Sequence, residues 1–230
     1  MKTQVSRRRD QTSQYLSIYR SFKRLTAIVA FTLTLGLSHT ATAGTVIAVL
    51  GDSLAAGFGL ATNEGFPARL EAALRNAGED VRVINAGVSG DTSAGGLARL
   101  DWVLGDQPDI VLVELGSNDA LRGLDPEETF DNLDSIVLNL RAREVTVILA
   151  GMMAPRNLGR EYVNAFDAIY RRVAEKHRIA LYPFFLYGVA LNPAFNQADL
   201  IHPNQAGVDI IVEKILPAMR AVLQDHRGVN

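Results

Sequence analysis

Short runs of apolar, β-branched residues alternate with longer stretches of helical spacing from about residue 45 onward. The runs predict five strands: Thr45–Leu50, Val81–Asn85, Asp109–Leu115, Val145–Ala150 and, as the least clear of them, Ile179–Tyr182. Because strands and helices alternate along the chain, the pattern predicts an α/β fold with a parallel sheet. Because each run is continuously apolar, we expect both faces of every strand to be covered.

The stretches between these runs predict helices. Apolar residues at 130, 133, 137 and 140 form one helical stripe, which Asp125 caps and which Pro126 opens. Further helices are predicted at Phe66–Ala77, Ala94–Leu104, about Gly159 to His177, and after Asn204, where Pro217 is expected to kink the last helix.

The first 43 residues differ from the rest in charge. They hold seven Lys or Arg and one Asp, and Lys23-Arg24 is followed by the apolar stretch Leu25–Leu37 and the small-x-small sequence Ala41-Thr42-Ala43. That stretch is shorter than the roughly 20 residues of a membrane-spanning helix. We therefore expect a cleaved signal peptide at 1–43, export to the periplasm without a stable membrane anchor, and a single domain at 44–230.

The expected mature domain is acidic and has no cysteine. Its 16 basic and 24 acidic side chains give a formal charge of −8, which repels phosphate backbones, so no nucleic-acid partner is expected. The absence of cysteine excludes disulfides, thiolate nucleophiles and cysteine zinc sites. Nothing in the chain implies an obligate protein partner.

Polar, glycine-rich turns follow the first three predicted strands. They are Gly51-Asp52-Ser53-Leu54, Asn85–Asp91 and Gly116-Ser117-Asn118-Asp119, and the sequence Asp199-Leu200-Ile201-His202-Pro203 precedes the last helix. Because ligands bind beyond the carboxyl ends of parallel strands, we expect these segments to meet at one edge of the sheet.

A serine, an acid and a histidine then share that edge. A serine hydroxyl needs an adjacent base to accept its proton, and a carboxylate behind the imidazole fixes the base. Elimination leaves His202 as the base, because His39 falls in the signal, His177 ends a helix and His226 lies in the polar tail. Asp199 precedes His202 by three residues. Candidate donors to an oxyanion are the Ser53 N–H, the Gly87 N–H and the Asn118 side-chain amide.

Other interpretations of the same residues remain open. Asp-x-x-His is also typical of a helix-capping aspartate beside a surface histidine, and Gly87 and Asn118 are common turn residues. Asp199 and His202 could ligate a metal together with Asp91 or Asp119. The chain has no Gly-x-Gly-x-x-Gly after a strand, so a dinucleotide site is not expected.

The ordered blocks resemble those of the GDSL, or SGNH, hydrolases. The four signature residues of that family fall on Ser53, Gly87, Asn118 and His202. The resemblance implies a flavodoxin-like three-layer α/β/α sandwich with a five-stranded, mainly parallel sheet. It also implies a Ser53 nucleophile, a His202 base oriented by Asp199, an oxyanion held by Ser53, Gly87 and Asn118, and no metal or organic cofactor.

Within the family, the chain resembles the bacterial multifunctional thioesterase I/lysophospholipase branch at Ser89–Ser93, Gly96–Leu100, Val113–Gly116 and Pro183–Phe185. The resemblance implies small acyl-ester substrates: lysophospholipids, aryl and short- to medium-chain esters, and thioesters that include acyl-CoA. Two alternatives remain, a carbohydrate O-deacetylase with the same triad and a non-catalytic ligand-binding protein on the same scaffold.

Overall fold

Residues 44–229 are described by a computed structural model, and the predicted signal peptide at 1–43 lies outside them. The described part holds five strands: β1 (Thr45–Gly51), β2 (Val81–Gly87), β3 (Ile110–Glu114), β4 (Thr146–Ala150) and β5 (Ala180–Tyr182). They form one sheet in the order β2-β1-β3-β4-β5, and every neighbouring pair is parallel. The predicted five-stranded parallel sheet is confirmed, and each strand lies close to its predicted bounds.

Helices cover both faces of this sheet, which confirms the three-layer α/β/α architecture. They are α1 (Ser53–Ala56), α2 (Phe66–Asn76), α3 (Ser93–Ala98), α4 (Leu100–Leu104), α5 (Ser117–Leu121), α6 (Pro126–Arg141), α7 (Arg160–His177) and α8 (Gln205–Val229), with a short 3₁₀ turn at Arg156–Leu158. Helices α2 and α8 pack on each other, and α6 packs on α3 and α7. No helix within residues 44–229 is both long and apolar enough to cross a membrane.

Two expectations about these elements were wrong in detail. Strands β2 and β5 lie at the sheet edges and are partly exposed, so only β1, β3 and β4 are covered on both faces. The helix predicted at Ala94–Leu104 is two helices, because Arg99 leaves helical geometry with φ −107° and ψ 12°. Pro217 lies inside the last helix, α8, which continues past it to Val229.

The strand register brings the ends of three strands to the same level. Gly51 of β1 pairs with Gly87 of β2 and with Glu114 of β3, so the last residues of three adjacent strands are level. The segments that follow them therefore leave the sheet side by side at its carboxyl edge, as the sequence predicted.

Candidate active site

The turn after β1 presents Ser53 at the start of a very short helix. Asp52 caps α1, since its Oδ1 accepts a hydrogen bond from the Leu54 N–H at 2.9 Å. After one turn the helix ends at Gly57, whose φ of 79° favours glycine. Ser53 is therefore held at the carboxyl end of β1 by a capped and tightly terminated turn.

Ser53, His202 and Asp199 form a continuous chain of hydrogen bonds. The Ser53 Oγ lies 2.9 Å from the His202 Nε2, and the His202 Nδ1 lies 2.7 Å from the Asp199 Oδ2. With the Nδ1–H donated to Asp199, the lone pair of Nε2 faces the serine hydroxyl. The fold thus brings together side chains that are 149 positions apart in the sequence, in the order that the sequence predicts.

The loop around Asp199 keeps this carboxylate ionised. Its Oδ1 accepts the backbone N–H groups of His202 at 3.0 Å and of Ile201 at 2.9 Å. The His202 backbone and ring hydrogen bonds, followed by the Ile201 N–H, lower the pKa of Asp199 to about 2. The carboxylate needed behind the imidazole is present at any ordinary pH.

Two residues outside the sequence predictions hold His202 from its other side. The Phe58 ring packs on the His202 ring, with centroids 4.5 Å apart. Gln197 donates from Nε2 to the carbonyls of Phe58 and Pro203, at 2.7 and 3.1 Å, and from its backbone N–H to the carbonyl of His202 at 2.8 Å. The turn after α1 is thereby joined to the loop that carries the base.

The Asn118 amide lies beside the nucleophile turn. At the start of α5, its Nδ2 donates to the Asp52 Oδ2 at 3.1 Å and to the backbone carbonyl of Asp91 at 2.9 Å. The segment before Asp91 is a tight turn, because the Asp91 N–H donates to the Val88 carbonyl at 3.1 Å and Gly90 has a φ of 84°. Asn118 therefore joins the end of β1 to the turn that follows β2.

Gly87 has a different environment from the one that the sequence predicts. A Cβ at this position would clash with the Ala56 backbone nitrogen, so only glycine allows β2 to approach α1 this closely. The Val88 N–H donates to the Gly51 carbonyl of β1, while the Gly87 N–H is turned the other way and donates to the Asn85 Oδ1 at 2.9 Å. An oxyanion would reach the Gly87 N–H only in place of that side chain.

A pair of buried carboxyl groups lies under the nucleophile turn. Burial raises the pKa of Asp52 to about 6, against the lowering effect of the Leu54 hydrogen bond. Glu114 is fully buried, and its Oε2 accepts the Asp52 N–H at 3.3 Å. Burial, and then the charge of Asp52, raise the pKa of Glu114 well above its ordinary value. Both carboxyl groups of this pair therefore hold a proton more tightly than carboxyl groups in water do.

The carboxylates that could complete a metal site are engaged elsewhere. Asp91 pairs with Arg99, and Asp119 accepts hydrogen bonds from the backbone and hydroxyl of Ser93 and from Thr129. Within residues 44–229, no cluster of three or more His, Cys, Asp or Glu side chains is arranged to hold a metal ion. The arrangement does not support the metal alternative.

The remaining described histidines also have partners of their own. The His177 Nε2 lies 2.7 Å from the Asp134 Oδ1, and the His226 Nδ1 lies 2.8 Å from the Thr146 Oγ1. In these contacts the two histidines meet a carboxylate and a threonine hydroxyl, whereas His202 meets Ser53. His202 is the histidine that the elimination in the sequence analysis left as the base.

Sequence reasoning missed Asp52, Glu114, Phe58 and Gln197 as contributors to this site. Glu114 carried a usable signal, since it is a charged residue that ends an otherwise apolar strand. Asp52 carried a second, as a polar residue directly after a buried strand. Phe58 and Gln197 carried none, because their contacts depend on how two distant loops meet.

Comparison with known proteins identifies the family to which the chain belongs. A model of the GDSL-like Lipase/Acylhydrolase family matches residues 49–210. The chain is 43% identical over 188 residues to "Esterase TesA" of Pseudomonas aeruginosa, covering 81% of this chain and 93% of that protein. It is 40% identical over 178 residues to "Thioesterase 1/protease 1/lysophospholipase L1" of Escherichia coli K12, covering 77% of this chain and 84% of that protein.

A solved structure agrees with these sequence matches. The psychrotrophic esterase EstA from Pseudoalteromonas sp., in a structure inhibited by monoethylphosphonate, superposes with a TM-score of 0.74 at 32% identity. The match covers 78% of this chain and 99% of that one. The chain belongs to the GDSL-like lipase/acylhydrolase family and is a serine hydrolase of ester bonds.

Proposed function

We propose that the chain hydrolyses carboxylic esters and thioesters of acyl substrates through a Ser53 acyl-enzyme, with His202 as general base and acid and Asp199 as its orienting carboxylate. The observation that carries the proposal is the hydrogen-bond chain from the Ser53 Oγ through His202 to Asp199. The histidines at 177 and 226 contact a carboxylate and a threonine hydroxyl instead.

In the first step, the Ser53 oxygen attacks the substrate carbonyl carbon while its proton passes to the His202 Nε2. Asp199 stabilises the imidazolium that forms and remains ionised throughout. The tetrahedral intermediate then collapses, and His202 returns the proton to the departing alcohol or thiol. A water molecule attacks the acyl-enzyme in the same manner, releasing the acid and restoring the Ser53 hydroxyl.

The oxyanion of the intermediate needs donors that are already in place. We assign the Ser53 N–H, at the start of α1, and the Asn118 Nδ2, which would exchange its bond to the Asp91 carbonyl for one to the oxyanion. The Val88–Asp91 turn is a better position than Gly87 for a further backbone donor. It adjoins Asn118, whereas the Gly87 N–H is bound to Asn85.

The substrates we propose have an apolar acyl group and a leaving group without a high negative charge. Large apolar side chains are exposed in the segments that follow the strands at the carboxyl edge: Phe58, Val88, Leu121, Met153, Leu200 and Ile201. A cavity of about 610 Å³ lies between the first turns of α6 and α7, where Leu158 and Tyr162 line it together with the charged Arg160 and Glu161. The exposed apolar side chains favour acyl chains over sugars.

Charge and export narrow the choice further. The acidic domain repels the phosphates of acyl-CoA, and the signal-like sequence at 1–43 indicates a compartment that CoA does not enter. We therefore propose lysophospholipids and neutral aryl or alkyl esters as substrates in the periplasm, ahead of CoA thioesters. The names of the relatives, esterase and thioesterase/lysophospholipase, are consistent with this range.

The nucleophile is tested by Ser53→Ala. We expect hydrolysis of p-nitrophenyl butyrate to fall by roughly 10⁴-fold or more, because the covalent step is lost while the fold is kept. Labelling with a phosphonate should modify the wild type at Ser53 and leave the variant unmodified. Substantial turnover by folded Ser53→Ala would contradict the assignment.

The substrate class is tested by a chain-length series on the domain without residues 1–43. We expect octanoyl esters and lysophospholipids to have a higher kcat/KM than acetyl esters. A preference for acetylated sugars over every longer acyl ester would instead support the O-deacetylase alternative.

A further inference from the structure

Arg99 lies between α3 and α4 and directs its guanidinium at the carboxyl edge of the sheet. Its side chain is only 17% exposed, and all three of its nitrogens are engaged. The Nε donates to the Asp91 Oδ2 at 2.6 Å, one terminal nitrogen donates to the Ala86 carbonyl at 2.7 Å, and the other donates to the Gly51 carbonyl at 2.9 Å.

The Gly51 carbonyl belongs to the peptide directly before the nucleophile turn. The N–H of that same peptide, on Asp52, donates to Glu114 from the opposite side. Arg99 and Glu114 therefore hold one peptide at both of its polar ends. Ser53 is the next residue, so the position of its N–H and hydroxyl depends on this peptide.

The other two acceptors lie on the segment that follows β2. Ala86 is a buried residue next to the end of that strand, and Asp91 closes the turn beyond it. The backbone carbonyl of Asp91 accepts a hydrogen bond from Asn118, so holding the Asp91 carboxylate also orients the Asn118 amide before the oxyanion forms. One planar cation thus links the ends of two strands to the Asn118 side chain.

We propose that Arg99 is a positioning residue for hydrolysis, whose guanidinium aligns the Ser53 turn with the Asn118 amide so that both donors meet one oxyanion. The inference rests on the proposed roles of Ser53 and Asn118. Its physical basis is the fork of donors in a fixed plane, which a lysine ammonium cannot reproduce, since it presents its donors from a single point. Displacing reacting groups by about 1 Å can cost roughly 10²-fold in rate.

Two substitutions test the proposal: Arg99→Lys, which keeps the charge, and Arg99→Gln, which keeps a planar donor. Arg69→Gln is the control, because Arg69 also makes two contacts to one aspartate, Asp209, where α2 packs on α8. For each protein, a phosphonate that labels Ser53 gives the concentration of active sites. The values of kcat and KM for p-nitrophenyl butyrate are then expressed per labelled site.

We expect both Arg99 variants to lose about 10- to 100-fold in kcat per labelled site, with KM changed less than about threefold. Phosphonate labelling should slow in parallel, since its adduct uses the same donors. Arg69→Gln should keep the wild-type kcat. A wild-type kcat per labelled site in Arg99→Lys would overturn the proposal. If Arg99 supplied only positive charge or stability, a lysine could take over its role.

A second substitution, at Asp91, keeps the proposal testable if the Arg99 variants do not fold. Asp91→Asn keeps the size of the side chain but removes the charge that holds the Arg99 Nε, and we expect roughly a tenfold lower kcat with unchanged KM. An unchanged kcat in this folded variant would also overturn the proposal. Failure of the proposed function itself would appear differently, as a wild-type protein that the phosphonate does not label at Ser53.

Discussion

The environments of two aspartates near Ser53, Asp199 and Asp52, shift their pKa values in opposite directions. Asp199 is on a partly exposed loop, where three hydrogen bonds lower its pKa to about 2. Asp52 is buried at the end of β1, where loss of water raises its pKa to about 6. The same residue type thus supplies a permanent negative charge behind the base and a group that is more easily protonated under the nucleophile.

The difference shows that the base and the nucleophile of the site are supported in different ways. The base half consists of Asp199 and His202 on one loop. The backbone N–H groups of that loop bind the Asp199 carboxylate, so the charge of Asp199 depends on few residues. The nucleophile half is built at the ends of β1 and β3, where the buried Asp52 contacts both the buried Glu114 and the amide of Asn118. A change in the first half should alter chemistry with little effect on folding, and a change in the second should alter both.

The largest effect is expected in the base half, from Asp199→Asn. The amide cannot stabilise an imidazolium and it favours the wrong tautomer of His202, so kcat should fall by roughly 10³- to 10⁴-fold. The variant should lose a little thermal stability at neutral pH, because water screens the charge of this partly exposed carboxylate. Asp209→Asn, at a surface ion pair, is the control. A kcat for Asp199→Asn within about tenfold of wild type would contradict the role of Asp199 as the carboxylate behind the base.

The next effect belongs to the nucleophile half. Asn118→Ala removes one proposed oxyanion donor and should lower kcat by about 10²- to 10³-fold. Asn139, whose amide donates to the Ser135 carbonyl of its own helix, provides the control Asn139→Ala. Kinetics on the purified variants decide the matter: equal kcat values in the two alanine variants would remove Asn118 from the oxyanion site.

Much of this arrangement could be predicted from the sequence. Apolar runs predicted the strands and their parallel direction, because buried strands of an α/β sheet have few other patterns available to them. The Ser53, His202 and Asp199 chain followed from eliminating histidines and from the rule that ligands bind at the carboxyl edge. The family blocks made the same assignment.

The parts that were not predicted depend on distances that no local pattern encodes. The orientation of the Gly87 N–H depends on which side of β2 meets β1, and the pattern of residues before Gly87 does not reveal it. The contact of Phe58 with His202 requires two loops far apart in sequence to close on each other. The exposed faces of β2 and β5 follow from their places at the sheet edges, and the sequence predicted the strands but not their order across the sheet.

Two glycines near Ser53 separate packing from chemistry more finely. Gly87→Ala places a methyl group against the backbone of α1, so the free energy of unfolding should fall by about 1–3 kcal/mol. Gly90→Ala meets no atom closer than 3.8 Å but must adopt a φ of 84°, which strains the turn beside Asn118. We expect its main effect on kcat, and we expect urea unfolding to show that Gly87→Ala is the less stable of the two variants.

The sharpest test of the two aspartates is the pH dependence of stability, which leaves the chemistry of the site aside. Asp52 binds its proton more tightly in the folded protein, so its contribution to stability is complete below about pH 4 and is lost as pH rises through about 6, the raised pKa. Asp199 has the opposite sign. Its contribution is complete above about pH 4 and is lost as pH falls toward its lowered pKa of about 2.

Urea unfolding of the wild type and of Asp52→Asn between about pH 4 and 7 measures the first of these contributions. The asparagine cannot ionise, so the variant should gain on the wild type by on the order of 2–3 kcal/mol across this range, whatever constant loss it suffers from its altered bond to Asn118. Asp199→Asn should run parallel to the wild type over the same range, and the two curves should approach each other only below about pH 4, where the wild type loses the contribution of Asp199. Parallel curves for Asp52→Asn would mean that Asp52 ionises in the folded protein as it does in the unfolded chain, and the contrast between the two aspartates would then be wrong.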